Sequence, residues 1–239
     1  MENWEQLQKL LDESKRAVFF GGAGVSTESG IPDFRSTDGL YRQTYAYPPE
    51  TILSHRFFER NPEEFFRFYR AKMLCPQAKP NAAHRKLAEL EAAGKLTAVI
   101  TQNIDGLHQA AGSKNVLELH GSVLRNTCRS CGKFYGLEAI LSSEGIPRCS
   151  CGGIIKPNVV LYEESLDGDT IARAVRALEQ ADLLIVGGTS LAVYPAAGLV
   201  NYCKGRLVVI NKSPTSLDVK ADLLIQGWIG ETLSHLRVL

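Results

Sequence analysis

Four cysteines fall in two close pairs, spaced Cys128-x2-Cys131-x17-Cys149-x-Cys151. Four thiolates so arranged can close a tetrahedral zinc site. With every ligand position taken by sulfur, no place remains for water, so such a metal is structural rather than catalytic. Gly132 and Gly152-Gly153 follow the pairs and permit sharp turns around an ion. The first pair has the common knuckle spacing and the second is one residue tighter; a redox pair or free thiols is the alternative reading. A second kind of chemistry gathers at small-residue and polar stretches that end apolar runs. Gly22-Ala23-Gly24, with Ser26 and Thr27 after it, follows the run 17–21 and suits a backbone that cradles a pyrophosphate beneath free N–H groups. It equally suits a tight turn, and Thr27 stands where a third glycine would complete the dinucleotide fingerprint. The ribose-binding acid of an ordinary dehydrogenase, expected about 20 residues on, is not evident. Gly187-Gly188-Thr189-Ser190 follows 183–186 in the same manner. Thr101-Gln102-Asn103-Ile104-Asp105 ends 96–101: Gln and Asn can bond ribose hydroxyls or a carboxamide, while Asp105 can simply cap the next helix. His120-Gly121 ends 116–119, and histidine is the side chain suited to proton transfer near neutral pH. Position alone separates His120 from His55, His84, His108 and His235.

Buried strands at 17–21, 96–101, 116–119, 159–161, 183–186, 207–210 and 223–225 must hold these stretches. A helix with Trp4, Leu7, Leu10 and Leu11 on one face precedes them. Asn61-Pro62-Glu63-Glu64 marks another helix start, with Asn61 as cap, Pro62 at the first position and Glu64 closing a capping box. Further helices are expected over 81–93 and through Ile171, Ala174, Val175 and Leu178. Strands alternating with helices imply a mostly parallel sheet covered on both faces. Residues 31–54 read as a long loop, and 122–156, poor in apolar runs, as a small inserted module.

The totals narrow the classes. The chain has 239 residues, 44% apolar and 22% charged, and a net charge of +1. That composition is globular, and the charge gives no bulk reason to expect nucleic acid or a membrane surface. The polar, acidic start MENWEQLQKLLDESK is neither a signal nor a transit peptide, and no run approaches a membrane span, so the cytoplasm is the expected compartment.

Taken together, GAGVS (22–26), GIPDFR (30–35), TQNID (101–105), HG (120–121), the four cysteines, PNVV (157–160), GTSLAVYP (188–195) and IN (210–211) resemble the sirtuins, the NAD-dependent protein deacylases, in order and over essentially the whole chain. The resemblance implies an α/β fold: a Rossmann-like parallel sheet (1–39, 80–121 and 157–239) with a smaller domain made of a helical insertion (40–79) and the zinc module (122–156). NAD and an acylated-lysine protein or peptide would meet in the cleft between them. Gly22, Ala23, Gly24, Ser26 and Thr27 would lie along the diphosphate. Asp33, Phe34 and Arg35 would close over the cofactor, with Arg35 reaching a phosphate and Phe34 shielding the sugar carbon. Gln102 would bind the ribose on the nicotinamide side, while Asn103, Ile104 and Asp105 line the nicotinamide pocket. Gly188, Thr189, Ser190, Asn211 and Lys212 would hold the adenosine half, with Ile229 beside the adenine. Val159, Val160, Leu161, Tyr162, Leu191 and Val193 would receive the substrate. His120 would act as general base, aided by Asn103, as the acyl oxygen captures the sugar carbon that nicotinamide leaves. The products would be free lysine, nicotinamide and O-acetyl-ADP-ribose.

Three departures from the family pattern carry expectations. Glu163 stands in PNVVLYEE where the family carries glycine, so peptide register or preference differs. Tyr69 and Lys72 stand where members that remove acidic acyl groups carry Tyr-x-x-Arg; lysine lacks the bidentate fork, which favours acetyl or other uncharged groups. The third is the tight second cysteine pair. Competing readings are NAD-dependent ADP-ribosyl transfer to protein, a non-catalytic acyl-lysine reader and a hydride-transferring Rossmann enzyme. Cys75 and Cys203 are expected as apolar filler.

Overall fold

The computed structural model describes residues 2–33 and 47–238. Its strands are β1 (Ala17–Gly21), β2 (Leu96–Thr101), β3 (Val116–Glu118), β4 (Gly121–Cys128), β5 (Phe134–Tyr135), β6 (Ile155–Val159), β7 (Leu183–Gly187), β8 (Arg206–Asn211) and β9 (Leu223–Gln226). Its helices are α1 (Asn3–Glu13), α2 (Pro49–Ile52), α3 (His55–Arg60), α4 (Pro62–Lys72), α5 (Ala82–Ala92), α6 (Leu107–Ala110), α7 (Glu138–Leu141), α8 (Gly168–Gln180) and α9 (Ile229–Ser234). No helix among the described residues is long and apolar enough to cross a membrane.

Six strands form an all-parallel sheet in the order β3-β2-β1-β7-β8-β9. Along β1 the side chains alternate between two cores: Ala17 and Phe19 join Leu7, Leu87, Leu90 and Leu233 on one face, while Val18 and Phe20 join Ala174, Leu178 and Ala196 on the other. That is why the strand is a continuous apolar run, AVFFG, rather than an alternating one. Each fully buried Phe contributes roughly 1.5–3 kcal/mol through apolar burial. Apart from this sheet, β4 lies between β5 and β6 in an antiparallel sheet. A third core joins it to α2–α4: Phe57, Phe58, Phe65, Phe66 and Tyr69 pack with Val123, Ile140 and Ile155. The rings of Phe58, Phe65 and Phe66 meet edge to face at 4.9–5.9 Å, the favoured arrangement for aromatic pairs.

Several expectations change here. The strand expected at 159–161 is β6, which ends at Val159 and pairs antiparallel to β4 instead of entering the parallel sheet. Helix α2 lies inside the stretch read as a loop. Asn61 makes no side-chain cap bond to α4, and Glu64 instead holds Arg67 at 2.6 Å. Asn81 does cap α5, accepting from Ala83 and His84. Phe34, Arg35 and the boundary expected at 39–40 lie outside the described residues.

Candidate active site

The register aligns the carboxyl ends of the central strands: Gly21 lies opposite both Thr101 and Gly187, and Gly187 opposite Ile210. From β1 the chain builds outward to β2 and β3 on one side and later to β7, β8 and β9 on the other. The border of β1 and β7 is therefore the switch point where open α/β sheets bind ligands. A cavity of about 1530 Å³ opens there. The two small-residue loops meet backbone to backbone at its floor. The Gly24 N–H donates to Gly188 O at 2.8 Å, and a Cβ on Gly24 would stand 2.8 Å from the Gly188 Cα. No larger residue fits that approach.

The cradle is fixed from several directions. Asn81 Nδ2 donates to Val25 O (2.7 Å) and Ser29 Oγ (3.0 Å), and Thr27 Oγ1 donates to Gly24 O (2.9 Å). Ser26 Oγ donates to Asp105 Oδ2 (2.7 Å) and accepts from Asn103 Nδ2 (3.0 Å). The other carboxylate oxygen of Asp105 accepts the Leu107 N–H at 2.9 Å, so Asp105 closes the turn into α6, whose N-cap is Gly106, and also faces the cavity. Gln102 Nε2 spans to Thr189 Oγ1 (2.9 Å), joining the loops after β2 and β7.

Of the five histidines, His120 alone lines this cavity. His235 stacks on Trp4, His55 pairs with glutamates, and His84 and His108 are fully buried against one another at 4.7 Å. His120 Nδ1 lies 2.9 Å from Gln102 O. A carbonyl oxygen only accepts, so the neutral ring carries its proton on Nδ1 and offers the Nε2 lone pair. Burial pushes the His120 pKa below its ordinary value, against the smaller upward pull of that carbonyl. The neutral, basic form is therefore the resting form at pH 7, as a general base requires.

The four cysteine sulfurs lie within 4.8 Å of one another, with Cys128–Cys151 at 3.5 Å and Cys131–Cys149 at 3.6 Å. A tetrahedral ion bound at about 2.3 Å requires sulfurs about 3.8 Å apart, so the cluster fits zinc, tight pair included. The Cys151 N–H and the Tyr135 hydroxyl, the latter at 3.0 Å, hold the Cys149 thiol down at about 5, which favours the ligating thiolate.

The family model described as Sir2 family matches residues 22–195. The chain belongs to the Sir2 family. A relative from Clostridium perfringens named NAD-dependent protein deacetylase is 60% identical over 233 residues, covering 95% of this chain and 96% of its own. One of the same name from Clostridium acetobutylicum is 59% identical over 238 residues, covering 98% and 97%. Among solved structures, a Sir2 enzyme with deacetylated p53 peptide and 3′-O-acetyl ADP ribose superposes at TM-score 0.89, with 42% identity over 96% of this chain and 95% of that one. A Sir2–p53 peptide–NAD+ complex gives TM-score 0.86 and 44% identity over 98% and 96%.

Most residues that the Sir2 motifs single out line the one cavity, including Asp33, Ile104, Ser190, Asn211, Lys212 and Ile229. Val159, Val160, Leu161, Tyr162 and Val193 line it as well. Leu191 does not: at φ 53 and 5% exposure, it packs in the core with Ala196 and Ala197. Tyr69 is also elsewhere, its fully buried hydroxyl without a partner among the described residues and its pKa driven up by burial, while Lys72 reaches the cavity wall. Glu163 occupies the left-handed region at φ 74, which explains the glycine of the family pattern. Its carboxylate accepts the Arg56 N–H at 3.0 Å and holds that turn. Cys203 packs against the core as expected, but Cys75 lines the cavity rather than serving as filler. Trp228, which lines the cavity with its ring centroid 3.5 Å from Lys212 Nζ, and Asn81, which braces the cradle, carry no motif. For Asn81 the only sequence signal is an asparagine before a helix, and that signal misleads at Asn61.

Proposed function

We propose the following division of labour for the cleft of this NAD-dependent protein deacetylase. Gly22, Ala23, Gly24, Ser26 and Thr27 cradle the diphosphate with main-chain N–H groups and hydroxyls, and Gly188, Thr189, Ser190, Asn211, Lys212 and Ile229 take the adenosine half. Asn103, Ile104 and Asp105 form the nicotinamide pocket, and Gln102 orients the adjoining ribose. NAD, when bound, supplies the electrophilic sugar carbon that receives the acyl oxygen as nicotinamide leaves. His120 Nε2 then takes a ribose hydroxyl proton, which a positioned base accelerates about 10²–10⁴-fold. Val159 to Tyr162, together with Val193, receive the acyl-lysine stem and its peptide as an added strand. The helical insertion 40–79, of which 47–79 are described, and the module 122–156 act as a small domain that carries this edge. Zinc on Cys128, Cys131, Cys149 and Cys151 fixes the module and takes no part in proton transfer.

One observation carries this reading: His120 is held by the Gln102 carbonyl, with no partner for its second nitrogen among the described residues, in the cavity that the Ser26–Asn103–Asp105 cluster shares. Incubation of the chain with NAD and an acetyl-lysine peptide, read by mass, tests it. Nicotinamide, free lysine peptide and O-acetyl-ADP-ribose in equal amounts are expected. ADP-ribose on protein would instead mark a transferase, binding without turnover a reader, and NADH absorbance a redox enzyme. Lys72 on the cavity wall favours uncharged acyl groups, and faster turnover of a succinyl-lysine peptide than of the acetyl one would overturn that preference.

A further inference from the structure

The edge assigned to the peptide is tied to a chain of charges that the reaction does not use. Beyond β6, Val160 donates its N–H to His120 O (2.9 Å) and Tyr162 donates to Leu53 O (3.0 Å). The His55 N–H in turn donates to Tyr162 O (2.9 Å), and the Leu161 N–H donates to Glu164 Oε2 (2.9 Å). Glu164 is thus an anchor of the edge, and Lys156 Nζ holds the same oxygen at 3.1 Å. Its other oxygen lies 2.9 Å from His55 Nδ1. The opposite nitrogen of that ring lies 3.7 Å from Glu59 Oε1, and Arg129 Nη1 reaches the same Glu59 oxygen at 2.6 Å. Arg129 sits between Cys128 and Cys131 in the first knuckle, with its guanidinium 5.5 Å above the Phe58 ring. Each nitrogen of His55 therefore faces a carboxylate. One of these carboxylates holds the peptide edge and the other holds the knuckle.

We propose that His55 is a positioning residue for the peptide, tying the edge that receives it to the cysteine module through Glu164, Glu59 and Arg129. The proposal rests on the assignment of Val159–Tyr162 as that edge. A pair this exposed adds little by itself, but a linked row holds two separate stretches in one register. The NAD cradle lies outside the row, so the effect belongs to peptide binding.

The test is steady-state kinetics of His55→Ala, His55→Gln, Arg129→Ala and the double variant His55→Ala/Arg129→Ala, with zinc content measured on each. His55→Ala is expected to raise the peptide KM about 3–10-fold, with NAD KM and kcat within twofold and one zinc per chain. His55→Gln, which keeps a donor toward one carboxylate, recovers part of the loss. The double variant is no worse than the worse single, because both cut one row. A peptide KM for His55→Ala within twofold of the parent overturns the proposal. So do a parallel rise in NAD KM, loss of zinc, or multiplying effects in the double variant. Val160→Ala in the same assay separates the two layers. If it moves the peptide KM and His55→Ala does not, the edge stands and the link fails. If Val160→Ala has no effect, the edge assignment fails and the proposal goes with it.

Discussion

Gly121 follows the proposed base directly, and its replacement by alanine tests how rigidly the fold holds that base. Its φ is 75°, in the left-handed region, and it pairs with Val159 across β4 and β6. A Cβ there would stand 1.9 Å from the Asn158 carbonyl oxygen. Carbon contacts begin near 3.5 Å, so one side must retreat by about 1.5 Å. Neither yields easily, because Asn158 lies within β6 and Val160 is bonded to His120 O. The left-handed backbone costs a non-glycine residue roughly 1–2 kcal/mol. Forcing the strands apart costs roughly 1–3 kcal/mol more. Gly94→Ala is the control, since Gly94 has φ 73° but no heavy atom within 4 Å of its Cβ position, so it carries the first cost alone. Urea unfolding at matched slope should show Gly94→Ala losing about 1–2 kcal/mol and Gly121→Ala about 2–5, with turnover falling only in the latter. Equal losses in the two variants, or full turnover in Gly121→Ala, would refute the claim that β6 braces His120.

Other outcomes follow from single contacts. His120→Ala should keep ADP-ribose affinity within about threefold by calorimetry while kcat drops about 10²–10⁴-fold, and in the parent the acid limb of kcat/KM should fall below pH 6.5 because burial lowers this histidine's pKa. Burial, partly countered by the Asp105 charge, holds His84 down at about 4, and burial with the nearby His84 holds His108 at about 3. Between those values and about 6.5 the unfolded chain binds more protons, so stability falls as pH drops through that window, by on the order of 3 kcal/mol for His84 alone. Urea midpoints at pH 7.5, 6 and 5 check this, and His108→Leu should flatten the slope. A strong chelator should release one zinc per chain and lower the Tm while NAD binding persists, read by a colorimetric metal assay and calorimetry. Tyr69→Phe deletes a buried hydroxyl that has no partner among the described residues and should raise stability by about 1 kcal/mol in the same urea assay.

How far the fold was legible in the sequence depended on where each element gets its stability. Strands β1, β2, β7 and β8 are buried on both faces, so their apolar runs announce them. Strand β6 reads IKPNV, with a lysine and a proline, and exists because β4 pairs with it. Helix α3 spans six residues, too few to show a period. Asn61 and Asn81 look alike as caps. The difference is tertiary: the Asn81 amide also has Val25 and Ser29 to hold, while Asn61 has no such anchor among the described residues. The site was legible where a loop follows a strand, since the register brings such loops to one edge whatever their detail. Leu191 and Tyr69 match motif positions, but a motif does not say which way a side chain turns, and both turn into cores.

The missing third glycine at Thr27 makes the same point. In the dinucleotide fingerprint that glycine lets a long helix pack closely on its strand. Here no long helix follows within residues 22–33. Two short 3₁₀ turns, Ala23–Val25 and Thr27–Ser29, carry the chain away from the cradle and end at Gly30 in the left-handed region. With no close helix–strand approach to permit, position 27 is released from glycine, and its hydroxyl bonds Gly24 O. The next residue, Glu28, reaches the Gly230 N–H in the first turn of α9 at 2.7 Å, a placement that the helix dipole favours. The cradle is thus braced by side chains from Asn81, Thr27 and Glu28 where a dehydrogenase uses a packed helix. After Gly30, the residues Ile31, Pro32 and Asp33 line the cavity. Short turns that bring Ile31, Pro32 and Asp33 to the cavity wall, in place of a long packed helix, accord with a chain that consumes NAD rather than one that holds it for hydride transfer.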